Sequence, residues 1–190
     1  MATDMCVETT ARDAADRAFM LKAAVKEIAV REGMLATFMG RPFADQGGSG
    51  FHVHLSLNDA SGKNAFADEG GPDGLSPLAA NFIAGLIDHA QGLQAILGPT
   101  INSYKRILPD SLAPTHANWG HDNRTAFCRV PNERGSRARL EVRTADGAAC
   151  AHLMIAALLL AGLDGIERDL APPDPVVGDA YRMDDAHAGS

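Results

Sequence analysis

Apolar and polar residues recur along the chain with two different periods, which together predict helices and strands. Over Arg12–Arg31, apolar side chains return among charged ones at the spacing of a helix face, and Gly33 supplies a stop signal. A second helix is expected from a capping Ser76 over Pro77–Leu97. A third, largely apolar helix is expected over Ala148–Glu167.

Strict alternation of apolar and polar residues predicts strands. In Phe51–Leu57 the polar residues His52, His54 and Ser56 all face one side, because side-chain direction in a strand has a period of two. Three further strands are expected at Met34–Met39, Thr125–Val130 and Arg137–Arg143. Strands that neighbour one another along the chain, with helices elsewhere, predict an α+β architecture and not a doubly wound sheet.

Composition and charge narrow the class of protein. With 190 residues, of which 46% are hydrophobic and 22% charged, the chain is long enough for one domain with a sizeable core. A net charge of -7 argues against a nucleic-acid-binding scaffold. The three cysteines have no paired spacing that would indicate disulfides or a zinc site. Because the N-terminus has no secretion signal and no apolar run is long enough to cross a bilayer, we expect a cytoplasmic protein without membrane contact.

The strand that carries His52, His54 and Ser56 follows a glycine-rich loop, Gly47–Gly50. Histidine can ligate a divalent metal or donate to phosphate, and glycines let the backbone approach a ligand closely. The same spacing fits equally well two surface histidines on a solvated strand face.

The segment Arg137–Arg143 predicts a strand with a charged face, in which Arg139 and Arg143 flank Glu141. Arginine binds phosphates and carboxylates bidentately, and a carboxylate among cations is a candidate metal ligand. A solvated, self-paired charged face is the alternative. Further arginines stand nearby in the sequence at Arg106, Arg124 and Arg129. Since the chain has neither a Walker A motif nor a Rossmann glycine fingerprint, the residues alone predict ATP or phosphate handling, with magnesium as a candidate ion.

At these positions the sequence resembles the glutamine synthetase family. Five stretches match in the family's order: ATFMGRPFADQGGSGFHVHLSL, NSYKRILPDSLAP, WGHDNRTAFCRVP, RARLEVR and ALLLAGLDGIE. The resemblance implies a glutamine synthetase-type catalytic domain: a mainly antiparallel, curved sheet (a split barrel) with flanking helices. It also implies that ATP phosphorylates the γ-carboxylate of glutamate, and that ammonia or an amine then displaces the phosphate.

The resemblance also implies a role for each matched residue. His52 and Glu141 would ligate Mg²⁺ or Mn²⁺. ATP would contact His54, Ser56, Arg139 and the two catalytic arginines, Arg124 and Arg129, which neutralise the transferring phosphoryl group. Glutamate would be bound by Gly48, Arg106 and Arg143.

Two departures from the family pattern change the expectation. A glutamate that closes the site in the ammonia-using enzymes is replaced by Leu112, which favours a larger amine over ammonia as the acceptor. Residues 1–190 match a single partial catalytic domain, without the family's N-terminal β-grasp domain or its earlier acidic metal ligands. We therefore expect the isolated chain to be weakly active or inactive. The resemblance also implies that its full-length parent forms a homo-oligomeric ring.

Other interpretations stay open at this point. The chain could derive from a true glutamine synthetase that tolerates Leu112, or be a non-catalytic paralogue or partner subunit of a full-length homologue. It could also be an incomplete gene product. Tyr181 matches a position that is adenylylated in some members, although an ordinary tail tyrosine is the simpler interpretation.

Overall fold

The computed structural model describes residues 2–108 and 111–182, with side chains described from residue 10 onward. In this part of the chain the α-helices are α1 (Ala2–Arg31), α2 (Pro77–Asp88), α3 (Ala90–Leu97), α4 (Ile101–Tyr104) and α5 (Ala151–Glu167). The strands are β1 (Val53–Leu55), β2 (Trp119–His121), β3 (Cys128–Val130) and β4 (Leu140–Val142). Single 3₁₀ turns lie at Pro72–Gly74, Gly135–Arg137 and Ala180–Arg182.

Helix α1 confirms the first predicted helix but begins earlier, at Ala2 instead of Arg12. It ends at Arg31, where Gly33 adopts a positive φ of 69° that a residue without Cβ accepts at no cost. Small residues, Ala15 and Ala29, form its buried face. Large apolar side chains on its other faces are exposed: Phe19, Met20, Leu21, Ile28 and Val30.

The helix predicted over Pro77–Leu97 is divided in the structure into two helices, α2 and α3. Ser76 caps α2 as expected, because its hydroxyl oxygen accepts a hydrogen bond from Ala79 N at 3.2 Å. At His89 the backbone leaves helical geometry (φ -93°, ψ 3°), and α3 starts at the next residue, Ala90. The His89 ring bonds Asp164 of α5 at 2.7 Å, which is a tertiary contact that local patterning does not reveal.

The strands form one mixed sheet in the order β1-β4-β3-β2 within the described residues. Both pairings of β4 are antiparallel, with His54 opposite Glu141 on one side and Arg129 opposite Glu141 on the other. The β2–β3 pairing is parallel, so the sheet is mixed, and β2 was not predicted. Helices and sheet together confirm the α+β class, whereas closure into a split barrel remains a prediction.

The predicted strand at Met34–Met39 is wrong. The segment has no regular structure, and Leu35 is 90% exposed. An apolar composition suggested burial, but no described strand lies beside the segment to take up its backbone hydrogen bonds. It serves as the connection between α1 and the glycine-rich loop.

The core lies between the sheet and the α2–α5 helix pair. Buried side chains of the helices, such as Phe82 and Leu158, join the same apolar cluster as Val130, Leu140 and Val142 of the sheet. This cluster supports β4 from behind, so the opposite face of β4 is the one available for polar groups. None of the described helices has the length and apolar character needed to traverse a bilayer.

Candidate active site

Glu141 is the centre of a polar cluster on the sheet. Its register places it between His54 of β1 and Arg129 of β3, and its residue exposure is 3%. Arg129 Nη1 donates to Oε2 at 2.6 Å, and Arg143 Nη1 donates to Oε1 at 2.7 Å. Both carboxylate oxygens are therefore held by guanidinium groups, an arrangement that fixes the carboxylate and keeps it ionised.

The two imidazoles of the β1 region approach the same carboxylate. His52 Nδ1 lies 3.1 Å from Glu141 Oε1, and His54 Nε2 lies 3.9 Å from it. Arg139 Nε donates to His54 Nδ1 at 3.2 Å. The structure thus brings together six of the residues singled out from the sequence, on the polar face of the sheet.

Asp122, which the sequence analysis missed, orients Arg129. The carboxylate of Asp122 accepts hydrogen bonds from Arg129 Nε, at 2.9 Å, and from Nη2. Asn132 Nδ2 donates to the other oxygen of Asp122 at 2.8 Å. The position of Asp122, in a loop before the strand that carries Arg129, could have indicated this role. From that stretch, however, only the arginines were singled out.

Arg106 is buried below the glycine-rich loop, with 4% exposure. Its Nη1 donates to the carbonyl oxygens of Thr144 and Ala145, at 2.8 and 3.0 Å. Among the described residues, no carboxylate lies close enough to form an ion pair with it. Neutral carbonyls therefore hold the guanidinium group in place, and the charge of buried Asp146 acts on it from beyond ion-pair distance.

Glycines allow the loop to pass directly over this arginine. A Cβ on Gly48 would lie 3.1 Å from the aliphatic stem of Arg106, and one on Gly50 would lie 2.9 Å from its Nη2. The same Cβ on Gly50 would lie 3.0 Å from His52 Nε2. Side chains here would displace both Arg106 and His52, so the close approach needs glycine.

The remaining predicted residues lie at the margins of the cluster. Ser56 and Arg124 are exposed, and the Arg124 side chain makes no hydrogen bond or ion pair within the described part of the chain. Leu112 is 77% exposed and has a positive φ of 64°, which is an unfavourable backbone conformation for leucine. Of the loop that carries it, residues 109 and 110 lie outside the described residues.

The cluster shifts the pKa values of its titratable groups. Burial would raise the pKa of Glu141, but the hydrogen bond from Arg129 and the charges of Arg143 and Arg129 outweigh burial and lower it. Burial and the charge of Arg143 lower the pKa of His52, although Glu141 opposes them. Burial also lowers the pKa of His54. At neutral pH the cluster thus contains an ionised carboxylate beside neutral imidazoles, the forms that bind a divalent cation.

His52 and Glu141 are the two side chains of the cluster that could ligate a divalent metal. Adjacent ligands of an octahedral magnesium ion, each at about 2.1 Å, lie about 3.0 Å apart. The 3.1 Å between His52 Nδ1 and Glu141 Oε1 is close to that spacing, and without a metal it is the distance of a direct hydrogen bond between the two side chains. Glu141 already binds two guanidinium groups, so the cation needs further oxygen ligands, which phosphates would bring.

A second group of potential metal ligands lies on the far side of the helices. Asp88, His89 and Asp164 place ligand atoms within 4.8 Å of one another. Arg168 Nη1 contacts both carboxylates, at 2.7 and 2.8 Å, so a side-chain cation already binds the group. We therefore assign it a structural role in joining α2 to α5.

Comparison with known proteins shows what class of protein carries this arrangement. The family described as "Glutamine synthetase, catalytic domain" matches residues 5–190, and the chain belongs to that family. It is 46% identical over 170 residues to glutamate–isopropylamine ligase of a Pseudomonas species, and 45% identical over 169 residues to the glutamine synthetase of Thermotoga maritima. These alignments cover 90% and 89% of the chain.

Solved structures agree with the sequence comparison. Ligand-free GmaS superposes with a TM-score of 0.80 at 46% identity, over 90% of this chain and 39% of that one. A GmaS complex with ADP gives 0.81 at 45% identity, over 88% and 39%. The chain spans 37% and 38% of the lengths of the two curated relatives.

The lowered pKa of His52 predicts acid sensitivity of the fold. Since the unfolded chain binds protons near pH 6.5 more readily than the folded one, the stability from neutral His52 is complete above that pH and is lost as the pH falls through it. Glu141 adds a further loss below about pH 4.5, since its pKa is also lowered by folding. We expect His52→Gln to reduce the drop in melting temperature between pH 7.5 and 5.5 by about 2–4 °C. Parallel pH curves for wild type and variant would contradict the assignment.

Proposed function

We propose that this chain provides the phosphate- and glutamate-binding part of an ATP-dependent ligase that joins ammonia or an amine to the γ-carboxylate of glutamate. The observation that carries the proposal is the position of Glu141, buried at the sheet surface between two guanidinium groups and 3.1 Å from His52. A solvated charged face, the alternative from the sequence, would leave this carboxylate exposed.

The electrostatic balance of the cluster favours a polyanionic ligand. Five guanidinium groups, those of Arg106, Arg124, Arg129, Arg139 and Arg143, lie among four acids, Glu141, Asp122, Glu133 and Asp146. This excess of positive charge lies in a chain whose net charge is -7. Phosphoryl transfer depends on such positioning and charge neutralisation more than on covalent chemistry by the protein.

Each residue has a place in the proposed reaction. His52 and Glu141 would hold Mg²⁺ or Mn²⁺, which supplies charge neutralisation on the phosphates when bound. Arg124 and Arg129 would stabilise the negative charge of the transferring phosphoryl group. The nucleotide would contact His54, Ser56 and Arg139, and the carboxylates of glutamate would contact Arg106 and Arg143 beside Gly48.

We further propose that the acceptor is an amine larger than ammonia. Leu112 is uncharged and exposed at the loop that follows Arg106, so it can neither attract ammonium nor accept its proton. An apolar side chain at this position favours an alkyl group on the acceptor. The 46% identity to a relative named glutamate–isopropylamine ligase also supports an alkylamine as the acceptor.

The test offers MgATP, glutamate and either ammonium or isopropylamine to the chain, and follows ADP and the γ-glutamyl product. We expect Leu112→Glu to raise the ratio of ammonium to isopropylamine use about fivefold, the factor that corresponds to about 1 kcal/mol from one exposed charge. Leu108→Glu, an exposed leucine four residues earlier in the same loop, is the matched control and should leave the ratio unchanged.

The outcomes separate the parts of the proposal. Ammonium as the better acceptor of the wild-type chain would contradict the amine preference and leave ordinary glutamine synthesis. If no acceptor gives a product while Mn–ADP still binds, the chain is a binding part without turnover of its own. A chain that binds neither nucleotide nor metal would contradict the proposed function as a whole.

One observation favours a second candidate, a partner subunit of a full-length homologue or an oligomer of this chain. Phe19, Leu21 and Ile28 of α1 are 61%, 63% and 58% exposed, more apolar surface than a helix of a monomer usually presents. Analytical ultracentrifugation of the chain, alone and mixed with a full-length family member, would test this. A single monomeric species in both samples would contradict it.

A further inference from the structure

The segment that follows α5 runs back along strand β2 and is bound to it. Trp119 Nε1 donates to Pro173 O at 2.6 Å, and Val176 N donates to Trp119 O at 2.8 Å. The segment passes so close that a Cβ on Gly120 would lie 2.7 Å from Val176 O. Residues 173–180, which we call the tail strap, are therefore packed against the edge of the sheet that leads into the site.

Asn123 makes the connection between the tail strap and the loop after β2. Its Nδ2 donates to Val176 O at 3.2 Å and to Gly178 O at 2.8 Å. Its Oδ1 accepts from Thr125 N at 2.9 Å and from Thr125 Oγ1 at 2.7 Å. Thr125 Oγ1 in turn accepts from Ala180 N at 2.9 Å. One amide side chain thus fixes both the strap and the conformation of the loop.

The residues on either side of Asn123 hold the arginines of the site. Asp122 orients Arg129 through its carboxylate. The carbonyl oxygen of Arg124 accepts a hydrogen bond from Arg143 Nε at 3.0 Å. Arg129 and Arg143 are the two groups that bind Glu141, so a shift of this short loop would move both.

The side chain of Arg124 itself has no hydrogen-bond partner among the described residues, and it lines an open groove of about 760 Å³. Residues 175–178 of the strap also line this groove. The direction in which Arg124 extends is therefore set by its backbone, and its backbone is set by its neighbours Asn123 and Thr125.

We propose that Asn123 is a positioning residue that couples the tail strap to the arginines of the phosphate site. This inference rests on the proposed function, because it assigns to Asn123 the task of holding Arg124, Arg129 and Arg143 where a phosphate can contact them. Asn123 itself contacts no substrate. Release of the strap, by this account, loosens the arginine cluster without removing any of its charges.

The test compares two substitutions that remove the same amide without changing charge. Asn123→Ala breaks the contact with the strap. Asn81→Ala is the matched control, because Asn81 Nδ2 also donates to two oxygens, of Leu170 and Asp169, but far from the arginines. Binding of Mn–ADP is measured by calorimetry, and stability by urea unfolding. The emission of Trp119, the single tryptophan of the chain, reports on the strap.

We expect Asn123→Ala to weaken Mn–ADP binding about fivefold to tenfold, the range that corresponds to one hydrogen bond of ordinary strength. The emission of Trp119 should shift to longer wavelength as the strap loosens. Asn81→Ala should lower stability by a similar amount and leave the affinity within twofold of wild type. Thr125→Val, a milder change that removes the acceptor of Ala180 N, should weaken binding in the same direction.

The outcomes distinguish this inference from the proposed function. If wild type binds Mn–ADP, and Asn123→Ala and Thr125→Val bind it with the same affinity, the inference is overturned but the proposed function is not. Equal losses of affinity in Asn123→Ala and Asn81→Ala would also overturn it, because general destabilisation would then explain both. A wild-type chain that does not bind Mn–ADP would overturn the proposed function and the inference with it.

Discussion

Replacing Glu141 with glutamine is expected to destabilise the fold by about 3–5 kcal/mol, the usual cost of removing one partner from a buried ion pair. Glu141 has a side-chain exposure of 4%, and its partners Arg143 and Arg129 have 9% and 14%. Glutamine has nearly the same shape but offers one acceptor oxygen, and its amide would point a donor at the other guanidinium group. Arg143 would then lose its paired carboxylate, and Arg129 would keep only Asp122.

The measurement is urea unfolding at pH 7.5, with Glu133→Gln as the matched control. Glu133 also pairs with an arginine, Arg139, but its side chain is 39% exposed, so we expect a loss of at most about 1 kcal/mol there. If the two substitutions cost the same, Glu141 is not the electrostatic centre of the cluster. A phosphate-containing ligand would still bind the Glu141→Gln protein, because the arginines remain, whereas Mn²⁺ affinity should fall.

The polar face of the site could be predicted from the sequence because strands have a period of two. Alternation alone placed His52 and His54 on one face, and Arg139, Glu141 and Arg143 on another. The two faces form one surface because β1 pairs with β4, a strand more than 80 residues further along the chain. No local pattern contains that pairing, and only the order of the family's motifs suggested it.

The features that the sequence analysis missed depend on tertiary contacts. Asp122 acts through Arg129, and Asn123 acts through the tail strap, so the role of each depends on a contact that the sequence does not show directly. The break at His89 is associated with its bond to Asp164, on a helix 75 residues away. The strand predicted at Met34–Met39 was wrong because apolar residues are buried only where a neighbouring surface covers them, and this segment is exposed.

The second large effect is expected at the crossing of α2 and α5, where two glycines let the helix backbones touch. A Cβ on Gly165 would lie 2.6 Å from Gly85 N, and its nearest obstacle is the carbonyl oxygen of Asn81. Because these atoms are backbone and cannot rotate away, Gly165→Ala must push the helices apart. We expect a loss of about 3 kcal/mol, at the upper end of the range for overpacking, in spite of the better helix propensity of alanine.

Gly92→Ala is the matched control for this prediction, and its expected sign is opposite. Gly92 also lies inside a helix, α3, but a Cβ there would have nothing within 4 Å. The same substitution should therefore stabilise the protein by about 1 kcal/mol through helix propensity alone. Thermal and urea unfolding of both variants would show the contrast. If Gly165→Ala stabilised the chain as Gly92→Ala does, the helices could not cross at backbone contact. The helices α2 and α5 would then pack less tightly than in the structure, and they would support β4 and Glu141 less closely.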